Sequence, residues 1–250
     1  MAKFYKGENF DLLYKEMLSD LIENPEFICA PRGLPIRENL CVTYELTDPT
    51  KFTINFLNTQ APERQEIYEK YRKAELEWYL SGDLSAASAP SKFWLNIADR
   101  HGNITSNYGS MMIKDRIYPG NTTSISSRNK TALEHVVDIL IKDPSSRQAI
   151  CHYNMPNHYF PDNKDIPCTL NHQFFIRENK LYMVTNQRSC DICLGLQFDS
   201  CWSCEFMVIV QNELAKRGLN VELGTFTHNM GSLHAYDNKL PLLQRISTPK

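Results

Sequence analysis

The residues best equipped for chemistry crowd into RSCDICLGLQFDSCWSC, positions 188–204, which carries four of the eight cysteines as two Cys-x-x-Cys pairs. Two such pairs can close a tetrahedral zinc site when the chain doubles back between them, usually over a spacer of about 15–20 residues. Here the seven residues LGLQFDS separate Cys193 from Cys201. Cys201 and Cys204 also open an apolar run with helical spacing, where thiols are common small core filler. No metal is therefore expected, and these cysteines read as buried thiols. The other polar groups of the stretch carry more meaning. Arg188 offers a planar fork and Ser189 a hydroxyl donor, a pair suited to a phosphate, and Asp191, Gly195 and Asp199 follow at close spacing.

A folded body must hold these groups, and the composition supports one. At 250 residues, 42% hydrophobic and 22% charged, the chain can bury a sizeable core. Its net charge of −2 comes without a basic run, so neither a nucleic acid polymer nor an anionic membrane is an expected partner. The amino terminus lacks an apolar secretory segment, and no stretch reaches the roughly 20 apolar residues of a membrane span. A cytoplasmic protein with free thiols is the expectation, in which case the Asn-x-Thr at Asn121 has no bearing on glycosylation.

Periodicity places the elements. Apolar residues over 10–22 recur at helical spacing; RQEIYEKYRKAELEWYLSG (64–82) and TALEHVVDILIKD (131–143) read as two more helices, ending at Gly82 and before Pro144. HQFFI and KLYMVTNQ flank a polar REN turn as a strand pair, residues 200–217 form an apolar helix closed by Gly218, and VELGTFTHN (221–229) is another strand. PRGLP, SAASAPS and YNMPNHYFPDNKDIP read as loops, none with the composition of a domain linker. One α+β domain over 1–250 accounts for the pattern.

QRSCDICLGLQFD is similar to the nucleotide and folate segment of the thymidylate synthase family, whose usual form is QRSxDxxLGxPFN. Upstream, DIPCTLNHQFFI resembles the loop and strand that carry the family's nucleophilic cysteine; downstream, GSLHAY resembles its His-x-Tyr. ELEWYLSGD, FWLNIADRHGNITSNYG and DPSSRQ match in order before them, so the resemblance runs over roughly residues 30–236. It implies a single domain with a mixed β-sheet flanked by helices, one sheet face forming a homodimer interface, and 5,10-methylenetetrahydrofolate as cosubstrate.

The resemblance also assigns roles. Cys168 is selected from the eight cysteines as the thiolate that adds to carbon 6 of a pyrimidine, which makes carbon 5 nucleophilic enough to attack a one-carbon iminium; a nearby arginine would lower its pKa. Glu75 matches the acid-base carboxylate, with a pKa raised by burial beside Trp78. Gln187, Arg188 and Ser189 match nucleotide-binding positions, joined by Arg147 from the partner subunit and by Arg32 from an early loop. Gln148 stands where a second arginine is common, which implies weaker phosphate binding. Tyr108 matches a substrate-ordering position, and His234 and Tyr236 those that hold the sugar 3′-hydroxyl. Asp191, Trp94 and Gly195 match the folate side. From residue type alone, Glu75 could equally be a helix-surface glutamate, Trp94 core packing, and Arg32 and Arg147 solvated charges.

Two departures bear on the base. The family motif ends in asparagine, whose amide can donate to uracil O4; here the residue is Asp199, which accepts from the exocyclic amine of cytosine. The residue after the nucleophile is commonly histidine and here is Thr169. Both features resemble the deoxycytidylate hydroxymethylases of bacteriophages, and dCMP is the expected nucleotide. The chain ends at RISTPK, 16 residues after His234. Without the family's closing tail, water would reach the exocyclic methylene and give 5-hydroxymethyl-dCMP with tetrahydrofolate. Reductive dCMP methylation, CMP hydroxymethylation, thymidylate synthesis from dUMP, and an inactive scaffold subunit are the alternatives. If phage-encoded, the protein would act in the host cytoplasm.

Overall fold

A computed structural model describes residues 2–55, 62–115, 130–154, 156–159 and 165–247. In chain order its elements are β1 (Lys3–Gly7), α1 (Phe10–Glu23), β2 (Phe27–Cys29), β3 (Ile36–Leu46), α2 (Pro62–Ser81), α3 (Tyr108–Ile113) and α4 (Ala132–Lys142). They continue with β4 (Ile150–His152), β5 (Thr169–Arg177), β6 (Lys180–Gln187), β7 (Cys190–Asp191), α5 (Leu196–Lys216), β8 (Glu222–Tyr236) and α6 (Leu240–Ser247). Asn121, residues 248–250, and 155 and 160–164 of the expected loop lie outside the described residues.

Local chemistry sets the ends of these elements. Asn9 caps α1 by accepting from the Leu12 N–H at 3.1 Å. A Thr131–Glu134 capping box starts α4. Gly82 follows α2 at φ 60, a left-handed conformation that costs glycine little. The β5–β6 hairpin turns through Glu178 and Asn179, both at positive φ, as a tight turn between right-twisted strands requires. Two elements exceed the sequence expectation. α5 begins at Leu196 rather than 200, because Gly195 serves as its N-cap instead of lying in a loop. β8 runs on past Asn229 to Tyr236, which places the whole GSLHAY segment in the sheet.

The strands form one mixed sheet in the order β1-β3-β8-β6-β5-β4, with β2 paired to β3 and β7 to β8. α1 and α5 pack on one face, Phe10 against Tyr44 at 5.9 Å between ring centroids and Phe206 against Phe174 at 5.4 Å. Across this covered face runs a polar row in register: Tyr44, His228, Thr185 and His172. The Tyr44 hydroxyl lies 2.6 Å from Ser200 Oγ and 3.4 Å from His228 Nδ1, and His172 Nδ1 lies 2.7 Å from Thr185 Oγ1. On the opposite face the next residue of each strand makes a second row. Thr43 Oγ1 donates to Asn229 Oδ1, Asn229 Nδ2 to Asn186 Oδ1, and Asn186 Nδ2 to Asn171 Oδ1, at 2.9, 2.9 and 2.8 Å. Among the described residues no helix is long and apolar enough to cross a membrane.

Candidate active site

Three structural pieces bring the chemical groups together: the start of β5, the end of β6 running into β7, and the first turn of α5. Cys168 immediately precedes β5 and is half-buried. Its carbonyl accepts from the Arg188 N–H at 2.9 Å. The Tyr108 hydroxyl accepts from the backbone N–H of both Cys168, at 3.1 Å, and Thr169, at 3.0 Å. α3, which carries Tyr108, sits close enough to α2 that a Cβ on Gly109 would fall 1.8 Å from the Tyr79 carbonyl oxygen. Glycine is therefore required there for steric reasons, and that contact sets where Tyr108 stands.

Burial pushes the Cys168 thiol up to about 11. The charges of Arg188 and Arg32 oppose this, while Asp199 and Asp165 add to it. The lowering by arginine expected from sequence is present but outweighed, so the resting group is a thiol. Arg188 itself is exposed and grips the loop before the cysteine: Nε donates to the Pro167 carbonyl at 3.1 Å and a terminal nitrogen to that of Ile166 at 2.7 Å.

Asp199 lies in the first turn of α5, where a carboxylate is favoured by the helix N-terminus. Gln187 Nε2 donates to Asp199 Oδ2 at 2.8 Å and to Thr169 Oγ1 at 3.0 Å, which uses both of its protons. Burial raises Asp199 to about 6, against the hydrogen bond from Gln187. Glu75, buried on α2, is pushed up to about 8, first by burial and then by the charge of Asp199, with the Tyr71 hydrogen bond pulling the other way. Of these two carboxyl groups, Glu75 therefore keeps its proton to higher pH than Asp199.

The sugar-side and folate-side candidates flank this centre. Asp191 pairs with His234 between β7 and β8. The Asp191 Oδ1 accepts from the N–H groups of Cys193 and Leu194 at 2.7 and 3.1 Å, which shapes the turn into Gly195. Burial lowers the pKa of His234, and its Nδ1 is buried with no hydrogen-bond partner among the described residues. Tyr236 follows on the same strand, its ring 5.5 Å from that of His234. Ser189 is half-buried between Arg188 and β7, and Arg32 is exposed in the turn before β3. Trp94 is half-buried, 5.1 Å from Trp78. Arg147 is not part of this cluster; it stands exposed ahead of β4, its carbonyl accepting from Gln173 Nε2 at 2.8 Å.

Sequence reasoning overlooked Tyr71, which donates to Glu75 Oε1 at 2.8 Å. Its position one helical turn before Glu75 was the available signal. The bond from Gln187 to Thr169 was likewise unforeseen, since it joins residues on neighbouring strands. The Cys-x-x-Cys pairs are divided between β7, the turn after it and α5, with Cys190, Cys201 and Cys204 buried.

Comparison with known proteins agrees with the geometry. The thymidylate synthase family model matches residues 48–248. The deoxycytidylate 5-hydroxymethyltransferases of Enterobacteria phages T4 and T2 are each 29% identical over 186 residues, covering 71% of this chain and 71% of each relative. That of phage T6 shows the same identity and coverage. A match over most of the chain, on a mixed sheet flanked by helices that gathers the cysteine, the carboxyls and the arginine at one place, establishes that the chain belongs to the thymidylate synthase family.

Proposed function

We propose that this protein transfers a one-carbon unit from 5,10-methylenetetrahydrofolate to carbon 5 of dCMP and completes the reaction with water, giving 5-hydroxymethyl-dCMP and tetrahydrofolate. The observation that carries the reading is Asp199 and its clamp. With Gln187 donating to Oδ2, Asp199 Oδ1 is left to accept a proton from the base, and a cytosine amine supplies one where uracil O4 cannot. The names of the phage relatives support the same substrate.

The Cys168 sulfur adds to carbon 6 of the ring as its thiol proton passes to the base at N3, and it leaves again at the end as that proton is returned, while Glu75 handles the other protons on the base. The Tyr108 hydroxyl holds the Cys168 backbone in place. Arg188 and Ser189 receive the phosphate, with Arg32 from the turn before β3. His234, neutral through burial and with Nδ1 unengaged among the described residues, suits the sugar hydroxyl together with Tyr236. Trp94, Asp191 and Gly195 would hold the folate, which supplies carbon at the oxidation level of formaldehyde. The half-buried Trp94 beside Trp78 fits a flat ring. The reading includes a single cytoplasmic domain acting as a homodimer through the sheet face that bears the asparagine row, with Arg147 reaching the partner's phosphate site.

The test is incubation with dCMP, CMP and dUMP, each with methylenetetrahydrofolate, and product analysis by mass. A gain of CH2O on dCMP without dihydrofolate is expected. A gain of CH2 with stoichiometric dihydrofolate would make the reaction a reductive methylation, and product from dUMP alone would make it thymidylate synthesis.

A further inference from the structure

Glu75 does not stand alone on α2. The Tyr71 hydroxyl donates to its Oε1 at 2.8 Å, and the same hydroxyl oxygen accepts from Trp94 Nε1–H at 3.3 Å. The Tyr71 ring is held by Phe198, 4.8 Å away between centroids, and Phe198 directly precedes Asp199. Trp94 lies on a separate segment, the helical turn Lys92–Asn96, so the chain of hydrogen bonds joins two parts of the fold. We propose that Tyr71 is a positioning residue for the Glu75 carboxyl and couples it to the indole of Trp94, so that whatever lies against Trp94 is felt at Glu75. This rests on the roles given above to Glu75 and Trp94.

The physical argument is one of polarised hydrogen bonds. A phenol that accepts a bond from the indole N–H becomes a stronger donor, and donation to a carboxyl oxygen favours its ionised form. Tyr71 thereby acts against the burial that keeps Glu75 protonated. The other titratable groups facing Glu75 are Tyr68, Arg72 and Tyr79 on its own helix and Asp199 and Cys201 on α5. Of the two hydroxyl-bearing neighbours one turn away along α2, Tyr71 donates to the carboxyl and Tyr79 is linked to it through charge. A ligand stacked on Trp94 that turns the indole would weaken the N–H bond, weaken the phenol as donor, and hold Glu75 protonated to a higher pH. By linkage the same ligand would bind more tightly where Glu75 is protonated.

Tyr71→Phe keeps the ring against Phe198 and removes the hydroxyl. The protonated-carboxyl infrared band of the free protein that disappears in Glu75→Gln reports the titration of Glu75 without any turnover. In Tyr71→Phe its midpoint should rise by about half to one pH unit, the worth of one hydrogen bond. Trp94→Phe should move it the same way by less. The pH limb of kcat should shift with the band in Tyr71→Phe, while the Kd for dCMP stays within about twofold. An unmoved midpoint in Tyr71→Phe would overturn the assignment, and an unmoved midpoint in Trp94→Phe would overturn the coupling. Because the band titrates without substrate, either result is distinct from the absence of a hydroxymethylated product, which bears on the proposed reaction alone.

Discussion

In the proposed reaction, a single atom of Asp199 separates two base preferences. Gln187 fixes Oδ2 as an acceptor, so in Asp199→Asn the amide oxygen would stay toward Gln187 and the NH2 would turn to the base. The variant should therefore donate to uracil O4 and lose the cytosine amine. Its kcat/KM ratio of dUMP over dCMP should rise on the order of ten- to a hundredfold, since a mispaired buried group costs about 1–3 kcal/mol. Steady-state kinetics on the two nucleotides checks this, and an unchanged ratio would mean that the base is read elsewhere. The roles proposed for these residues come from the sequence chiefly through likeness to a family: nothing in the spacing of eight cysteines distinguishes Cys168. The burial that raises Glu75 was foreseen beside Trp78, but the environment of Cys168 was not. Whether an arginine or burial wins at that thiol depends on how much of the loop covers it, and here burial wins.

Among the elements, those with a clean period were legible and those without were not. α1, α2, α4 and the β5–β6 hairpin follow from helical spacing or from a turn between alternating runs. β3 escapes such a reading because Cys41, at φ 53, interrupts its alternation, so that Leu40 and Cys41 are both exposed between buried Asn39 and Val42. α3 has six residues, too few to display a period, yet it positions Tyr108. Its seat on α2 gives a prediction. Gly109→Ala would drive a methyl into the Tyr79 carbonyl and force the two helices apart. A loss of stability on the order of 3 kcal/mol is expected in urea denaturation, together with lower turnover as Tyr108 withdraws from the Cys168 backbone. Full activity with unchanged stability would show that α3 can shift without cost.

The whole molecule carries a dependence on acidity that the reaction does not require. His172 and His228 are fully buried in the polar row beneath α5, and burial lowers both from 6.5 to about 3, His228 adding to the effect at His172. The unfolded chain takes up protons at these positions below about 6.5, whereas the folded protein does so only near 3. Their contribution to stability is therefore present above 6.5 and lost as the pH falls through that window, by up to about 1.4 kcal/mol per pH unit for each histidine. Replacing both with glutamine should flatten the fall in stability between those limits. Thermal unfolding of the two proteins across that range checks it, and parallel curves would show that other groups govern acid lability.

The asparagine row on the opposite face solves a problem that hydrophobic alternation leaves open. Slipping a strand by one residue sends its apolar side chains to the wrong face and is rejected at once. Slipping it by two restores every side chain to its proper face, and the core cannot tell the difference from pattern alone. The row can: moving β6 two positions along β8 would set Val184 or Arg188 where Asn186 accepts from Asn229. Neither can take that proton and also pass one to Asn171, so a single misalignment interrupts the row on both sides. Thr43, Asn229, Asn186 and Asn171 thus act as a vernier that distinguishes otherwise equivalent alignments of four strands.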